Sequence, residues 1–388
     1  MSGEPRDRYA VVIVGGGIVG LFTAYHLARA GTGPIAVFER GFLSSGASGR
    51  NGGGVRQQWE TGATVALARE AVAAWRRFPG EFGFNPYFRQ GGYLFLAESA
   101  AELAQLDRVA ATVRAAGLPL ERLDPRAVAR RAPGIRTDRI QGASYLGSDG
   151  TLYPFPAIWG AYEAARRLGV DVFLRSEVTA IDSEGGRVLG VRVGGRRVAA
   201  DRVVNAAGGW SGELSRRAGL SVPNVASRHE ILATEPMKRF LDPMLIRLSD
   251  GLYVSQTMRG ELVGGLSVPH PPGVVPGPPS SIAFLRRMSA SLVDLFPNLS
   301  GLNVLRAWAG YYDDTPDGMP VIGEDPRLRG FFHANGFGGH GFMLSPATSL
   351  RVARSVLGER TDLDPARFGP ARFLSPGRAM HAEHLQPG

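Results

Sequence analysis

The chain has 388 residues, 44% of them hydrophobic, and a net charge of +9; that length suits two domains or one composite fold with a substantial core, and excludes a disordered chain. The positive charge is almost all arginine, spread along the chain with a single lysine, Lys238, rather than the basic, aromatic-interleaved stripe of a nucleic-acid binder. Cysteine is absent, which excludes disulfides, thiolate metal sites, a cysteine nucleophile and a cysteinyl-linked cofactor, and is compatible with the reducing cytoplasm taken here as the expected compartment.

YAVVIV at 9–14 is a short β-branched run and predicts a buried strand. GGGIVG follows, then LFTAYHLARAG, apolar at helical spacing and ending at Gly31. PIAVFER at 34–40 predicts a parallel strand, completing a βαβ unit. The uncharged stretch 9–28 is long enough to pass for a targeting segment or a membrane helix. Its glycine spacing favours a nucleotide loop instead, and no other stretch is long enough to span a bilayer.

Further along, 65–78, 99–116, 124–131, 156–168 and 281–294 predict helices. Residues 91–99, 228–236, 251–258, 261–268, 304–312 and 330–337 predict strands, and 170–208 a β-meander. The Pro-rich run 269–280 predicts a loop. A last helix is expected from Gly341 to about Leu357, and a weakly ordered tail from Asp362.

Gly15-x-Gly17-x-x-Gly20 sits between strand and helix. The first glycine permits the turn, the second lets backbone approach a pyrophosphate, and the third lets helix and strand pack closely. The N–H groups of the helix N-terminus, at Ile18 and Val19, favour an anion there. Glu39 ends the second strand, 19 residues after Gly20, where a carboxylate accepts from ribose hydroxyls and repels a 2′-phosphate. FAD and NAD share this fingerprint. An NAD dehydrogenase would continue with alternating βα units; here the chain enters a Ser/Gly/Arg loop and returns with DRVVNAAGGWS at 201–211, a strand ending in small residues.

These segments resemble the FAD-dependent amine and amino-acid oxidoreductases of the D-amino acid oxidase, glycine oxidase and sarcosine oxidase family. The resemblance rests on residues 9–28 with FER at 38–40, VVNAAGGWS at 203–211, TPDGMPVIG at 315–323 and ANGFGGHGFMLSP at 334–346. It covers about 9–358, and within the family is greatest to the β subunits of heterotetrameric sarcosine oxidase and dye-linked L-proline dehydrogenase. It implies a mixed α/β (α+β) fold. A discontinuous Rossmann-like FAD-binding domain would take 1–80, 140–225 and 300–365. A sheet-based substrate domain would take 81–139 and 226–299, with 366–388 a tail.

For the cofactor, the resemblance implies FAD contacts from Gly15, Gly17, Ile18, Val19, Gly20, Glu39, Arg40, Ser45, Ala47, Ser48, Arg50, Asn51, Gly52 and Gly53. It adds Val178, Ala207, Gly208, Trp210, Gly310, Gly336, Gly338, Gly339, His340 and Gly341. Gly52–Gly54 would let backbone run against the flavin ring. Gly338-Gly339-His340-Gly341 would bring N–H groups to its pyrimidine edge, where the helix dipole stabilises negative charge. Trp210 and Trp308 read as packing residues.

Departures from the family pattern set further expectations. The family's covalent links use cysteine or histidine, and no histidine lies between His26 and His229. Sarcosine oxidase β subunits carry covalent FMN on a histidine where this chain has Pro154. FAD is therefore expected to be non-covalent, with no covalent FMN and no metal. Family carboxylate holders are replaced by Met343 and Tyr312. Arg56 becomes the candidate to pair with a substrate carboxylate through its two-pronged guanidinium; the other reading is a surface or flavin-contacting arginine. Tyr253, Tyr312 and His340 complete the catalytic candidates, the alternative being core packing for either tyrosine and a hydrogen-bonding structural role for His340. No lysine stands on ELVGGLSV at 261–268 to aid oxygen, which favours a partner or dye over O2 as acceptor.

The implied reaction is oxidation of an amino acid or secondary amine by hydride transfer to flavin N5, followed by imine hydrolysis. The partners would be that substrate, O2 or an electron-accepting protein, and the other subunits of a hetero-oligomer. A non-catalytic flavoprotein subunit or assembly factor, and an oxidase of a 2-hydroxy acid, remain alternatives.

Overall fold

The computed structural model describes residues 4–271 and 273–374. In chain order the elements begin β1 (Arg8–Val14), α1 (Ile18–Arg29), β2 (Ile35–Phe38), β3 (Gly54–Val55), α2 (Gly62–Phe82) and β4 (Tyr93–Ala97). They continue α3 (Ala100–Ala115), β5 (Glu121–Leu123), α4 (Pro125–Arg131), β6 (Gly142–Leu146), β7 (Gly150–Thr151) and α5 (Pro154–Arg167). Next come β8 (Asp171–Phe173), β9 (Val178–Glu184), β10 (Arg187–Val193), β11 (Arg196–Asn205), α6 (Ser211–Arg217) and β12 (Val225–Pro236). Then follow β13 (Met244–Arg247), β14 (Tyr253–Gln256), β15 (Glu261–Leu266), α7 (Ile282–Leu295) and β16 (Val304–Asp314). The last are β17 (Val321–Glu324), β18 (Phe331–Asn335), α8 (Gly341–Val356) and α9 (Pro365–Phe368).

Two eight-stranded sheets organise the chain. The first runs β17-β18-β11-β1-β2-β8, with β9 and β10 joined to β11. Here β1 is central and pairs in parallel with β2 and β11, so its residues Val11–Ile13 are fully buried. A strand covered on both faces needs such a continuous apolar run. The second sheet runs β16-β12-β15-β14-β13-β4-β6-β5. The segment boundaries expected at 140 and 300 fall just before β6 and β16, both of which hydrogen-bond into this second sheet.

Helix ends follow local chemistry. Ser99 and Glu102 form a reciprocal capping box on α3. Asp124, Thr61 and Ser281 cap α4, α2 and α7 through their side chains. Helix α2 is longer than the expected 65–78, because Thr61 starts it and left-handed Gly83 ends it (φ 74°).

Six strands have no counterpart in the sequence reading: β3, β5, β6, β7, β13 and β17. They are two to five residues long, and β6 (GASYL) opens with small residues. Its partners β4 and β5 make it a strand, not its own propensity.

The expected weak tail from Asp362 is corrected through residue 374. Helix α9 and the turn Pro370–Phe373 pack back onto the fold. Buried Arg372 donates to Asp317 Oδ2 from Nε (2.7 Å), to Asp317 Oδ1 from Nη2 (3.1 Å) and to the Met319 carbonyl (2.7 Å). Residues 375–388 of that expected tail lie outside the described residues. Among the described residues no helix is long and apolar enough to cross a membrane; the stretch 9–28 is divided between β1 and α1.

Candidate active site

One long cavity, of about 470 Å³, runs from the β1–α1 turn to the face of the second sheet. At its first end, Gly15–Val19 form the floor. Gly15 has φ 113°, and a Cβ there would lie 2.3 Å from the Ala206 carbonyl oxygen. Glu39 Oε2 accepts from the Gly16 N–H (2.9 Å), and its Oε1 from the Gly41 N–H (2.7 Å). The carboxylate thus shapes the turn as well as lining the cavity. Ser48 Oγ accepts from the Ile18 N–H at 3.0 Å, closing the loop 44–51 against the start of α1. Arg40 lies over the Trp210 ring (4.6 Å), and both line the cavity.

The middle of the cavity is walled by loop 45–54, the strand end Ala206–Trp210 and Gly310. Arg50 donates to the Ser45 and Ala309 carbonyls, both at 2.8 Å, and its own carbonyl accepts from Trp308 Nε1 at 3.0 Å. It lines the cavity while tying this loop to β16. Asn51 braces the loop by accepting from the Gly53 N–H at 2.7 Å.

The second end is formed by Arg56, Tyr93, His229, Ile231, Met244, Ile246, Tyr253, Tyr312 and the start of α8. Arg56 is 2% exposed, which removes the surface reading of it. Its guanidinium lies 3.8 Å from the Trp59 ring centroid, and Nη1 donates to the Gln58 carbonyl at 2.9 Å. Nη2 is 3.1 Å from His340 Nε2. Guanidinium only donates, so Nε2 accepts and the imidazole is the neutral Nδ1–H form. Burial, and then the Arg56 charge, hold His340 well below the usual histidine range.

Tyr312 stacks on His229 with centroids 3.6 Å apart and 18° between planes. Its hydroxyl is hydrogen-bonded to that of Tyr253. Burial pushes Tyr312 up to about 12 and brings His229 down to about 4. Burial also raises Tyr93 and Tyr253. This end therefore presents one fixed cation among neutral hydroxyls and imidazoles near pH 7.

The four catalytic candidates, Arg56, Tyr253, Tyr312 and His340, all line this end. Of the cofactor candidates, three lie off the wall. A Cβ on Gly20 would lie 2.1 Å from the Gly15 carbonyl oxygen, so this glycine serves helix–strand packing. Gly336 has φ 70°, crowds Thr315 and Val321, and donates to Asp313 Oδ2 at 2.6 Å. Gly53 has φ 74°, and a Cβ there would strike the Leu152 carbonyl at 1.9 Å. A Cβ on Gly54, which does line the cavity, would meet the Tyr93 hydroxyl at 1.7 Å. Gly53 and Gly54 are thus demanded by the β3–β7 pairing and by Tyr93; of the run 52–54, Gly52 and Gly54 border the cavity.

Sequence reasoning missed Tyr93, His229, Ile231, Met244 and Ile246. They come from β4, β12 and β13, and reach the cavity because of strand register, for which no local motif exists. It also missed Asp313, a buried carboxyl that accepts from the Gly336 N–H and Asn224 and so holds the turn before α8. Burial raises this carboxyl to about 7.

The glycine floor, the Glu39 carboxylate beside it and the start of α8 together fit an FAD: an anion-binding end, then a glycine-walled passage, then a helix N-terminus. Residues 10–355 match the family of FAD dependent oxidoreductases. The chain belongs to this family. This FAD-dependent oxidoreductase is 29% identical to a sarcosine oxidase subunit beta of Arthrobacter over 95% of this chain and 92% of the relative. It is 30% identical to glycine oxidase of Geobacillus kaustophilus, over 95% and 98%. The solved structure of L-proline dehydrogenase from P. horikoshii superposes with a TM-score of 0.89 at 32% identity, covering 95% of this chain and 99% of that one. FAD is its cofactor by family.

Proposed function

We propose that this FAD-dependent oxidoreductase oxidises the carbon–nitrogen bond of an amino acid or secondary amine that bears a carboxylate. The observation that supports this most is the buried Arg56 guanidinium at the end of the cavity opposite the dinucleotide turn. Gly15–Val19, Glu39, Ser45–Asn51, Ala207–Trp210 and Gly338–Gly341 would hold FAD without a covalent link. Bound there, FAD supplies the two-electron acceptor.

The chain's own residues bind and orient. Arg56 would pair with the carboxylate, a contact strengthened by the water-poor surroundings. His340 Nε2 accepts from the guanidinium and keeps it in place. Tyr253 and Tyr312 offer hydroxyls beside it. Neither His229 nor His340 is basic enough to take an ammonium proton near neutrality. The substrate would therefore lose that proton to water and react as the neutral amine, and the imine product would hydrolyse in water.

Electrons would pass to O2 or to a protein partner. The one lysine, Lys238, does not line the cavity, in keeping with a dehydrogenase. Assembly with other subunits, by analogy with a relative named as a subunit beta, and work in the cytoplasm are part of the same proposal.

An anaerobic panel of amino acids and secondary amines tests this reading. At least one should bleach the flavin, and Arg56→Ala should weaken that substrate's binding far more than FAD retention. No bleaching across the panel would support a non-catalytic subunit or a 2-hydroxy acid oxidase instead. Readmitted oxygen then reports oxidase or dehydrogenase through peroxide. Acid precipitation should leave yellow flavin in the supernatant; a yellow pellet overturns the non-covalent assignment.

A further inference from the structure

Arg56 is mounted on a buried segment, Arg56–Trp59, whose two glutamines do not line the cavity. Both reach one carboxyl, Asp149, fully buried on the loop between β6 and β7. Asp149 Oδ1 accepts from the Gln57 backbone N–H (2.7 Å) and from Gln57 Nε2 (3.1 Å). Asp149 Oδ2 accepts from Gln58 Nε2 at 3.1 Å. The Asp149 backbone is itself pinned. Its N–H donates to the Leu146 carbonyl at 3.2 Å, and its carbonyl accepts from the Gly92 N–H at 2.9 Å.

Gln58 is held from three further sides. Its Oε1 accepts from Ser144 Oγ at 2.7 Å, its Nε2 also donates to the Tyr93 carbonyl at 3.2 Å, and its own carbonyl accepts from Arg56 Nη1 at 2.9 Å. One carboxyl therefore fixes both the backbone that carries Arg56 and the carbonyl to which the guanidinium donates. The link joins the second sheet, through β4 and β6, to the loop that leaves the cofactor turn.

We propose that Asp149, which does not line the cavity, is a positioning residue for Arg56, and that carboxylate affinity depends on it. This rests on the reading that Arg56 binds the substrate carboxylate. A carboxyl is needed because each of its oxygens faces N–H donors. An asparagine would turn an NH2 towards Gln58 Nε2 or towards Gln57. Flipping Gln58 would not repair this, since its oxygen would then face the Tyr93 carbonyl.

The test titrates the FAD-loaded enzyme with propionate, and with propionamide as the uncharged control, following flavin absorbance. Arg56→Ala should weaken propionate about a hundredfold and Asp149→Asn about tenfold. Propionamide binding and flavin content should change little in Asp149→Asn, while the melting temperature falls by only a few degrees. In an Arg56→Ala background, Asp149→Asn should cost nothing further. Undiminished propionate binding in Asp149→Asn, or an equal loss with propionamide or without Arg56, overturns the role of Asp149 and leaves that of Arg56 standing. Wild type that does not bind propionate, or Arg56→Ala that binds it normally, overturns both. Should Asp149→Asn not fold, Gln58→Met carries the same cycle, since it removes the donor to Asp149 Oδ2 and keeps the side-chain volume.

Discussion

Arg56 Nη2 and His340 Nε2 lie 3.1 Å apart, joining residues 284 positions distant in the chain. One follows β3 and the other caps the start of α8. The contact couples the guanidinium at the cavity end to the helix whose N-terminus faces the cofactor space. It also fixes the imidazole as a neutral acceptor, so the histidine orients and does not titrate near pH 7.

His340→Gln should therefore preserve most of the carboxylate affinity, because an amide oxygen can accept from Arg56. His340→Phe keeps the ring but removes this acceptor, at a cost of about 1–3 kcal/mol in binding. The pH profile of kcat/KM should show no inflection between pH 6 and 9 that disappears in His340→Gln. Steady-state kinetics across that range check both points.

Gly53→Ala and Gly54→Ala should destabilise the protein by on the order of 2 kcal/mol or more. The first forces a side chain into left-handed backbone against the Leu152 carbonyl, the second into the Tyr93 hydroxyl. Gly46→Ala is the control, with φ −88° and nothing within 4 Å of a Cβ. It should stay within about 0.5 kcal/mol of wild type. Urea denaturation distinguishes these outcomes.

Asp313 should make stability fall as pH rises from about 4 towards 7. Burial raises its carboxyl from 3.8 to about 7. Between those values the folded state binds more protons than the unfolded one, so stability declines through this window and the contribution is gone above it. Carboxylates held low by arginine, such as Asp250, act with the opposite sign at lower pH. Asp313→Asn should flatten the decline by a few kcal/mol over the window, read from denaturation midpoints at each pH.

Arg372→Ala should cost about 3 kcal/mol or more, since it leaves Asp317 buried without its cation. Arg354, whose pair with Glu359 is half-exposed at 3.9 Å, should cost less than about 0.5 kcal/mol on the same change. Thermal melts of the two variants side by side check the contrast.

The sites legible in the sequence are those built within one short stretch. Gly15, Gly17, Gly20 and Glu39 announce a nucleotide turn because the geometry of a strand–turn–helix is encoded by its own residues. The glycines before α8 are legible for the same reason. The run 52–54 shows the limit. Its lack of side chains is plain in the sequence, but what those side chains would strike is not. Leu152 and Tyr93 lie about 100 and 40 positions away, and only the pairing of β3 with β7 and the register of β4 bring them there.

By itself the sequence determined the nucleotide turn and its family resemblance, and offered Arg56 as a candidate. Each rests on local backbone conformation or on a contiguous motif. Only the tertiary structure decided that Arg56 is buried and braced by His340 and Trp59. Only it placed Asp149 behind Gln57 and Gln58, and folded the chain end back through Arg372. Those outcomes depend on which side chains share a water-free space, and burial is a property of the packed sheets, not of any one segment.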